Sequence, residues 1–108
     1  PEPADSRLRQ ITAALREDPA DTRTLEAWGR LAGASPRTIA RLFPTETGMT
    51  FRQWQQQARL LEGLMRLAQG EAVTSVAFEV GYENPSAFIA MFRRTLGVTP
   101  GRYFSTEV

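Results

Sequence analysis

With 108 residues and a formal net charge of +1, the chain is long enough for one domain with a single core. It has no cysteine, which excludes disulfides, zinc fingers and thiol nucleophiles, and no histidine, which removes the commonest general base and metal ligand. No apolar run approaches the ~18 residues of a membrane span, and no signal-peptide pattern opens the chain. We therefore expect a cytoplasmic protein that is not an enzyme and uses no metal or cofactor.

The first predicted helix covers residues 6–17, with Asp5 or Ser6 as its N-cap. Asp18 and Pro19 end it, because the residue before a proline disfavours the helical conformation. Its apolar positions recur at i, i+3 and i+7, as one buried helix face requires: Leu8, Ile11 and Leu15.

Two short helices joined by a sharp turn follow. Thr24 is the predicted N-cap of the first, and its apolar positions recur at i, i+3, i+4 and i+7: Leu25, Trp28, Gly29 and Ala32. A turn at residues 33–34 leads to Ser35, the N-cap of a second helix over residues 36–43 that opens on a proline. Pro44 and Gly48 are expected to end this helix, which buries Ile39, Leu42 and Phe43.

A long helix is predicted from Thr50 or Phe51 to Ala68, closed by Gly70. At ~1.5 Å per residue it spans about 28 Å, close to the ~34 Å between successive major-groove faces of DNA. We expect both tryptophans of the chain to lie in the core. The predicted buried face of the long helix is Phe51, Trp54, Ala58, Leu61, Met65 and Ala68.

A second pair of helices follows the pattern of the first. It begins near Thr74 or Ser75, and its first helix is expected to bury Val73, Val76, Ala77 and Val80. After a turn at residues 81–84, Asn84 caps a helix over residues 85–95, which Gly97 ends in a left-handed conformation. The predicted inward residues of this helix are Phe88, Met91 and Phe92. Because no segment shows the alternation of a strand, the expected fold class is all-α.

The two pairs are copies of one segment. Pro36, Phe43, Gly48 and Thr50 recur 49 positions later as Pro85, Phe92, Gly97 and Thr99, whereas upstream of the turn the offset is 48. The second turn therefore has one extra residue. Each corner is predicted to need small residues where larger side chains would clash, at Gly29 and Ala77 and at Gly33 and Gly81. Two helix-turn-helix motifs suit a protein that places two helices in successive stretches of a DNA major groove.

Positive charge is concentrated in the first copy and the helix after it. Residues 22–70 carry seven arginines and three glutamates, whereas residues 1–21 and 71–108 have small acidic excesses. All thirteen basic residues are arginines, whose forked guanidinium suits contacts with phosphate and guanine.

The second helix of each copy leaves a set of residues facing outward. In the first copy these are Arg37, Thr38, Ala40 and Arg41, and two arginines one turn apart can reach a guanine edge and a phosphate together. A solvated helix face is the alternative explanation. In the second copy they are Ser86, Ala87, Ile89, Ala90 and Arg93, with Arg94 at the edge. Because the second set is poorer in polar side chains, we expect the first motif to carry more base specificity.

Three segments carry a family resemblance. The most specific is VAFEVGYENPSAFIAMFRRTLGVTPGRYF at residues 76–104, with its V-G-Y, S-x-F, F-R-R and G-x-T-P-x-x-Y elements. Residues 25–54 match the first motif of the same family, and ARLLEGLMRL matches its linking helix. The chain resembles the DNA-binding domain of the AraC/XylS family of bacterial transcription regulators over residues 8–104.

The resemblance implies one domain over residues 1–108 with about seven helices. Two helix-turn-helix subdomains, at residues 6–49 and 71–104, would be joined by a linker helix at residues 50–69. Each would offer a recognition helix to one face of double-stranded promoter DNA. Carried over by position, the contacts fall to Arg37, Ala40 and Arg41 in the first recognition helix and to Pro85, Ser86, Ala87, Ile89, Ala90 and Arg93 in the second.

The resemblance further implies a contact surface for RNA polymerase. Most family members carry an N-terminal effector or dimerisation domain, and since Pro1 is not a natural initiator we expect the chain to be a C-terminal fragment. Pro44 departs from the family's usual basic residue, and Ile89 and Ala90 depart from its usual polar or basic residues. A different hypothesis is a helical protein-interaction module that meets an acidic partner and does not bind DNA. An enzyme is disfavoured because the chain lacks histidine, cysteine and a recognisable carboxylate pair.

Overall fold

The computed structural model describes residues 3–105, and within them the chain forms seven α-helices and no strand, which confirms the predicted all-α class. None of these helices is both long and apolar enough to cross a bilayer. The helices are α1 (Ser6–Glu17), α2 (Leu25–Ala32), α3 (Pro36–Thr47), α4 (Phe51–Ala68), α5 (Val73–Glu79), α6 (Pro85–Leu96) and α7 (Pro100–Tyr103).

The chain divides into two compact units within α4, each with its own core. Unit 1 covers residues 1–58, and its buried apolar residues are Leu8, Ile11, Leu15, Trp28, Ile39, Phe43 and Trp54. Unit 2 covers residues 59–108, and its buried apolar residues are Leu60, Val76, Ala77, Val80, Phe88, Met91 and Phe92. Both tryptophans lie in the core of unit 1, as predicted.

Side-chain caps begin the helices where the sequence predicts them. The Asp5 carboxylate accepts from the Arg7 backbone N–H at 2.8 Å, and the Ser35 hydroxyl accepts from Thr38 N–H at 3.1 Å. The Asn84 side-chain oxygen accepts from the Ala87 backbone N–H at 2.8 Å and caps α6. The exception is α5, which starts at Val73 and has Ala72 at its N-cap without a side-chain bond, so the predicted start near Thr74 or Ser75 is slightly late.

The corner between α2 and α3 confirms one predicted clash and corrects another. A Cβ at Gly29 would fall far closer than 3.0 Å to the backbone carbonyl oxygen of Ala34, so only glycine fits there. At Gly33 a Cβ would meet nothing within 4 Å, and the clash predicted there is wrong. Glycine is favoured at position 33 because its φ is +82°, a left-handed conformation that other residues seldom adopt. Gly81, in the second turn, also has a positive φ, of +106°.

Helix α3 is one turn longer than predicted, because Pro44 lies inside it and does not end it. A proline removes only one backbone donor, and the last turn is held by other bonds. The Thr47 hydroxyl donates to the Phe43 carbonyl at 2.7 Å, and Gly48 N–H donates to the Pro44 carbonyl at 2.9 Å. The helix ends at Gly48, where φ is +78°.

The predicted buried face of α4 holds in unit 1 and is wrong in unit 2. Leu61 and Met65 are 56% and 53% exposed, and Ala68 is also exposed. The residues that α4 turns toward the core of unit 2 are Leu60, Gly63, Leu64 and Leu67. Both sets have helical spacing, so periodicity alone could not choose between them. Gly63 explains the choice, because it leaves room for the Phe88 ring: a Cβ there would lie 3.0 Å from Phe88 Cζ.

The core-facing residues of α4 in unit 2 show that the duplication extends beyond the two helix-turn-helix motifs. The buried positions of α1 at Leu8, Ile11 and Leu15 correspond, 52 residues later, to the core-facing positions Leu60, Gly63 and Leu67 of α4, of which Leu67 is half-buried. Aromatic contacts after each motif also correspond: Phe43 packs on Trp54 with centroids 6.4 Å apart, and Phe92 packs on Tyr103 at 5.5 Å. Each unit is therefore a supporting helix, a helix-turn-helix pair and a closing aromatic residue.

Candidate nucleic-acid interface

Helix α3 has a buried side and an exposed side, as the sequence predicts. Ile39 and Phe43 are fully buried in unit 1. Arg37, Ala40 and Arg41 are exposed on the other side. The buried anchors prevent α3 from rotating, so the exposed residues keep a defined direction.

The two arginines of α3 are available for a partner. Among residues 3–105, neither Arg37 nor Arg41 takes part in an ion pair, whereas Arg7, Arg23 and Arg66 do. Ala40 lies between them with no side chain beyond Cβ, which permits close approach by a groove wall. The exposed side of α3 thus offers two unneutralised guanidinium groups one helical turn apart.

The Thr38 side chain is less exposed, and less available for hydrogen bonds with a partner, than the sequence suggests. It is half-buried, and its Oγ1 accepts a hydrogen bond from the Ser35 hydroxyl at 3.0 Å. Its own hydroxyl hydrogen can still be donated. The residue therefore supports the start of the helix and retains one donor for a partner.

Because α3 continues to Thr47, its exposed side is longer than predicted. Pro44 and Thr45 are exposed and follow Arg41 on the same side of the helix, at the i+3 and i+4 positions. The Thr45 hydroxyl donates to the Arg41 carbonyl at 3.3 Å. Sequence reasoning missed this turn because it treated Pro44 as a helix terminator. The signal available in the sequence was Gly48, which ends the helix one turn beyond Pro44.

Most of the residues predicted to contact DNA from α6 line one surface depression. Ser86, Ala90 and Arg93 are exposed, whereas Pro85, Ala87 and Ile89 are half-buried, so Ile89 projects less than predicted. The depression, of about 590 Å³, is lined by Ser86, Ile89, Ala90, Arg93, Arg94 and Thr99. Thr99 lies outside the predicted set. Its recurrence as the counterpart of Thr50 was the signal available in the sequence.

Arginines also surround the turn of the second motif. The Arg59 guanidinium lies 5.4 Å from the centroid of the Tyr82 ring. Burial raises the pKa of Tyr82, and the nearby charges of Arg59 and Arg94 partly oppose this shift. Tyr82 thus remains neutral at physiological pH, and Arg94 lies near enough to influence it.

Acidic side chains in unit 2 are concentrated elsewhere. The Arg66 guanidinium pairs with Glu62 at 3.0 Å, Glu71 at 3.2 Å and Glu79 at 3.7 Å. The hydrogen bond to Glu62, followed by that to Glu71, raises the pKa of Arg66. In the part of the chain that the structure describes, no three acidic side chains are arranged to hold a metal ion.

A family model described as a helix-turn-helix domain matches residues 28–106. The chain is 39% identical over 99 residues to the HTH-type transcriptional regulator NimR of Escherichia coli K12, covering 92% of this chain and 36% of that protein. The chain spans about a third of the length of the curated relatives it matches.

Two solved structures share the fold. The DNA-binding domain of AdpA, the global transcriptional factor, solved in complex with a target DNA, has a TM-score of 0.82 and 31% identity, covering 90% of this chain and 88% of that one. The C-terminal domain of AraT, a response regulator from Geobacillus stearothermophilus, has a TM-score of 0.86 at 22% identity, covering 96% and 88%, and shows likeness of fold alone. The family match, NimR and the AdpA domain confirm the resemblance seen in the sequence: the chain belongs to the AraC/XylS family, as its helix-turn-helix DNA-binding domain.

Proposed function

We propose that this domain binds double-stranded promoter DNA and regulates transcription by placing α3 and α6 in successive segments of the major groove. The observation that carries the proposal is the exposed side of α3, where Arg37 and Arg41 stand without ion-pair partners in residues 3–105. Family membership supports it, and the AdpA domain of similar fold was solved in complex with DNA. Contacts with RNA polymerase and with an effector or dimerisation domain stay predictions, because no described residue locates them.

The two recognition helices have different roles in this proposal. In α3, Arg41 forms the forked contact to guanine N7 and O6 while Arg37 holds the adjacent phosphate. Ala40 lets the helix backbone approach the bases, and Thr38 donates its remaining hydroxyl hydrogen.

Helix α6 offers mainly small and apolar groups, which suit thymine methyl contacts and recognition of groove shape. Its residues in this interface are Pro85, Ser86, Ala87, Ile89, Ala90 and Arg93.

Titration of duplex DNA at several salt concentrations tests the proposal. A groove-binding domain that displaces counterions must lose affinity steeply as salt rises. Arg41→Ala should cost about 1–3 kcal/mol and relax the preference at one base pair. Arg30→Ala is the matched control, because it removes another exposed arginine, from α2, and should leave base preference unchanged.

Site selection from random duplexes gives the second readout. Unchanged preference in Arg41→Ala would reject the base-reading role of α3. A wild-type chain that shifts no duplex and instead retains an acidic protein partner would favour the protein-interaction hypothesis.

A further inference from the structure

We propose that unit 2 contains a separate binding site for DNA backbone phosphates in a groove beside α6, formed by Arg94, Thr99 and Arg102. We call it the α6–α7 groove. Thr99 and Arg102 lie outside the predicted recognition set, and Arg94 was expected only at its edge. The inference rests on the proposed function, since it assigns a further contact to the same partner.

The shape of the groove follows from two adjoining depressions. One, of about 590 Å³, lies along α6 and is lined by Ser86, Ile89, Ala90, Arg93, Arg94 and Thr99. The other, of about 610 Å³, is lined by Thr99, Gly101, Arg102 and Ser105. Thr99 lines both, so the surface continues from the exposed side of the recognition helix to α7. A duplex seated on α6 would pass its backbone along this continuation.

Among the described residues 3–105, the charged side chains that line the groove are all positive. They are the three arginines at positions 93, 94 and 102, with no carboxylate among them. None of the three takes part in an ion pair with any residue between 3 and 105. Unit 2 as a whole has five arginines and five glutamates, so its formal charge is zero. Three of those glutamates gather around Arg66, which leaves the groove as a positive region on a neutral unit.

The remaining groups of the groove suit a phosphodiester. The Thr99 Oγ1 accepts from the Arg102 backbone N–H at 3.3 Å, which leaves its hydroxyl hydrogen free to donate to a phosphate oxygen. Ser86 and Ser105 add exposed hydroxyl groups. A Cβ at Gly101 would meet nothing within 4 Å, so the floor of the groove is open. Phosphates accept hydrogen bonds from arginine and hydroxyl groups alike.

The groove is held on a packed support. Pro100 is buried, and the Tyr103 ring packs edge-on against Phe92 with centroids 5.5 Å apart. Phe92 is itself fully buried on the inner side of α6. The position of Arg102 is therefore fixed relative to α6. Unit 2 would then bind the duplex mainly by contacts with the DNA backbone. This accounts for the shortage of polar side chains on α6 that could contact bases.

Binding of two labelled duplexes, one carrying a selected site and one scrambled, tests the groove. We expect Arg94→Gln and Arg102→Gln each to weaken binding to both duplexes roughly fivefold to tenfold at 0.1 M salt, and to reduce the slope of log affinity against log salt by about 0.9. Arg102→Lys should restore the slope, because it keeps the charge. Arg66→Gln is the matched control in unit 2, and it should leave the slope unchanged because three carboxylates already neutralise its guanidinium.

The possible results separate failure of the groove from failure of the proposed function. An unchanged slope in both glutamine variants, with wild-type binding intact, would overturn the groove and leave the proposed function standing. An altered base preference would assign these arginines to base reading instead. A wild-type chain that binds neither duplex would refute the proposed function, and the groove with it. The Arg102 substitution leaves the Thr99 cap in place, since that cap uses the backbone N–H.

Discussion

Substituting alanine for Gly29 should disrupt the corner on which α3 depends. The new Cβ would fall far inside van der Waals distance of the Ala34 carbonyl oxygen, and that oxygen belongs to the backbone of the turn. A flexible side chain could move aside, whereas the turn can move only if α3 moves with it. A hydrogen bond also holds Ala34 in place, because its backbone N–H donates to the Gly29 carbonyl at 2.9 Å.

The expected cost follows from two opposing effects. Overpacking a tight site costs up to about 3 kcal/mol, and a backbone obstacle places this substitution at that upper end. Replacing glycine by alanine within a helix stabilises the folded state by about 1 kcal/mol, because alanine has the higher helix propensity. The net loss should be about 2 kcal/mol, which is a reduction of about 30-fold in the ratio of folded to unfolded protein. Ala77 occupies the corresponding position in the second motif, where the turn has one more residue.

Urea denaturation followed by tryptophan fluorescence measures this loss in unit 1, because Trp28 and Trp54 both lie there. A Gly29→Ala variant as stable as the wild type would refute the proposed steric reason for glycine at the corner. DNA affinity should fall with the stability of unit 1.

Three further predictions test other parts of the structure. Leu60→Ala should destabilise unit 2 by about 2–4 kcal/mol and Leu61→Ala by less than about 0.5, since Leu60 is buried and Leu61 exposed; equal urea midpoints would contradict this. The side-chain hydrogen bond from Arg7 lowers the pKa of Asp5 to about 2, from 3.8, so the stabilisation it contributes is present above about pH 4 and lost as pH falls through 2. Asp5→Asn should remove this pH dependence, and a stability difference from wild type that stays constant from pH 5 to 2 would oppose it. The Glu46 carboxylate accepts from two backbone N–H groups before α1, at 2.8 and 3.0 Å, so Glu46→Ala should cost about 1–2 kcal/mol and accelerate hydrogen exchange at both amides.

The parts of the fold that depend on local chemistry could be predicted from the sequence. Caps at Ser35 and Asn84 need only the hydroxyl or amide and the N–H groups that follow, so a proline next to each was enough to locate both recognition helices. Left-handed ends at Gly48 and Gly97 are equally local. These features set the ends of the two recognition helices, and the spacing of the apolar residues Ile39 and Phe43 then predicts that the arginines of α3 are exposed.

The predicted buried face of α4 was wrong because residues far apart in the chain decide it. Two apolar sets share the same spacing, and the choice between them depends on how Phe88 fits against Gly63. The α6–α7 groove was missed for a similar reason, since the packing of Tyr103 on Phe92 places α7 against α6. The error at Pro44 is local instead, because the bond from the Thr47 hydroxyl to the Phe43 carbonyl holds the last turn despite the proline.

Hydroxyl-radical footprinting of a selected duplex tests the central claim most directly, because it shows where along the DNA each unit lies. We expect two protected stretches on one side of the duplex, centred about 10 base pairs apart. Methylation of guanine N7 within one stretch should block the wild-type chain and have no effect on Arg41→Ala. A single protected stretch, or interference that persists without Arg41, would contradict the placement of α3 and α6 in successive major-groove segments.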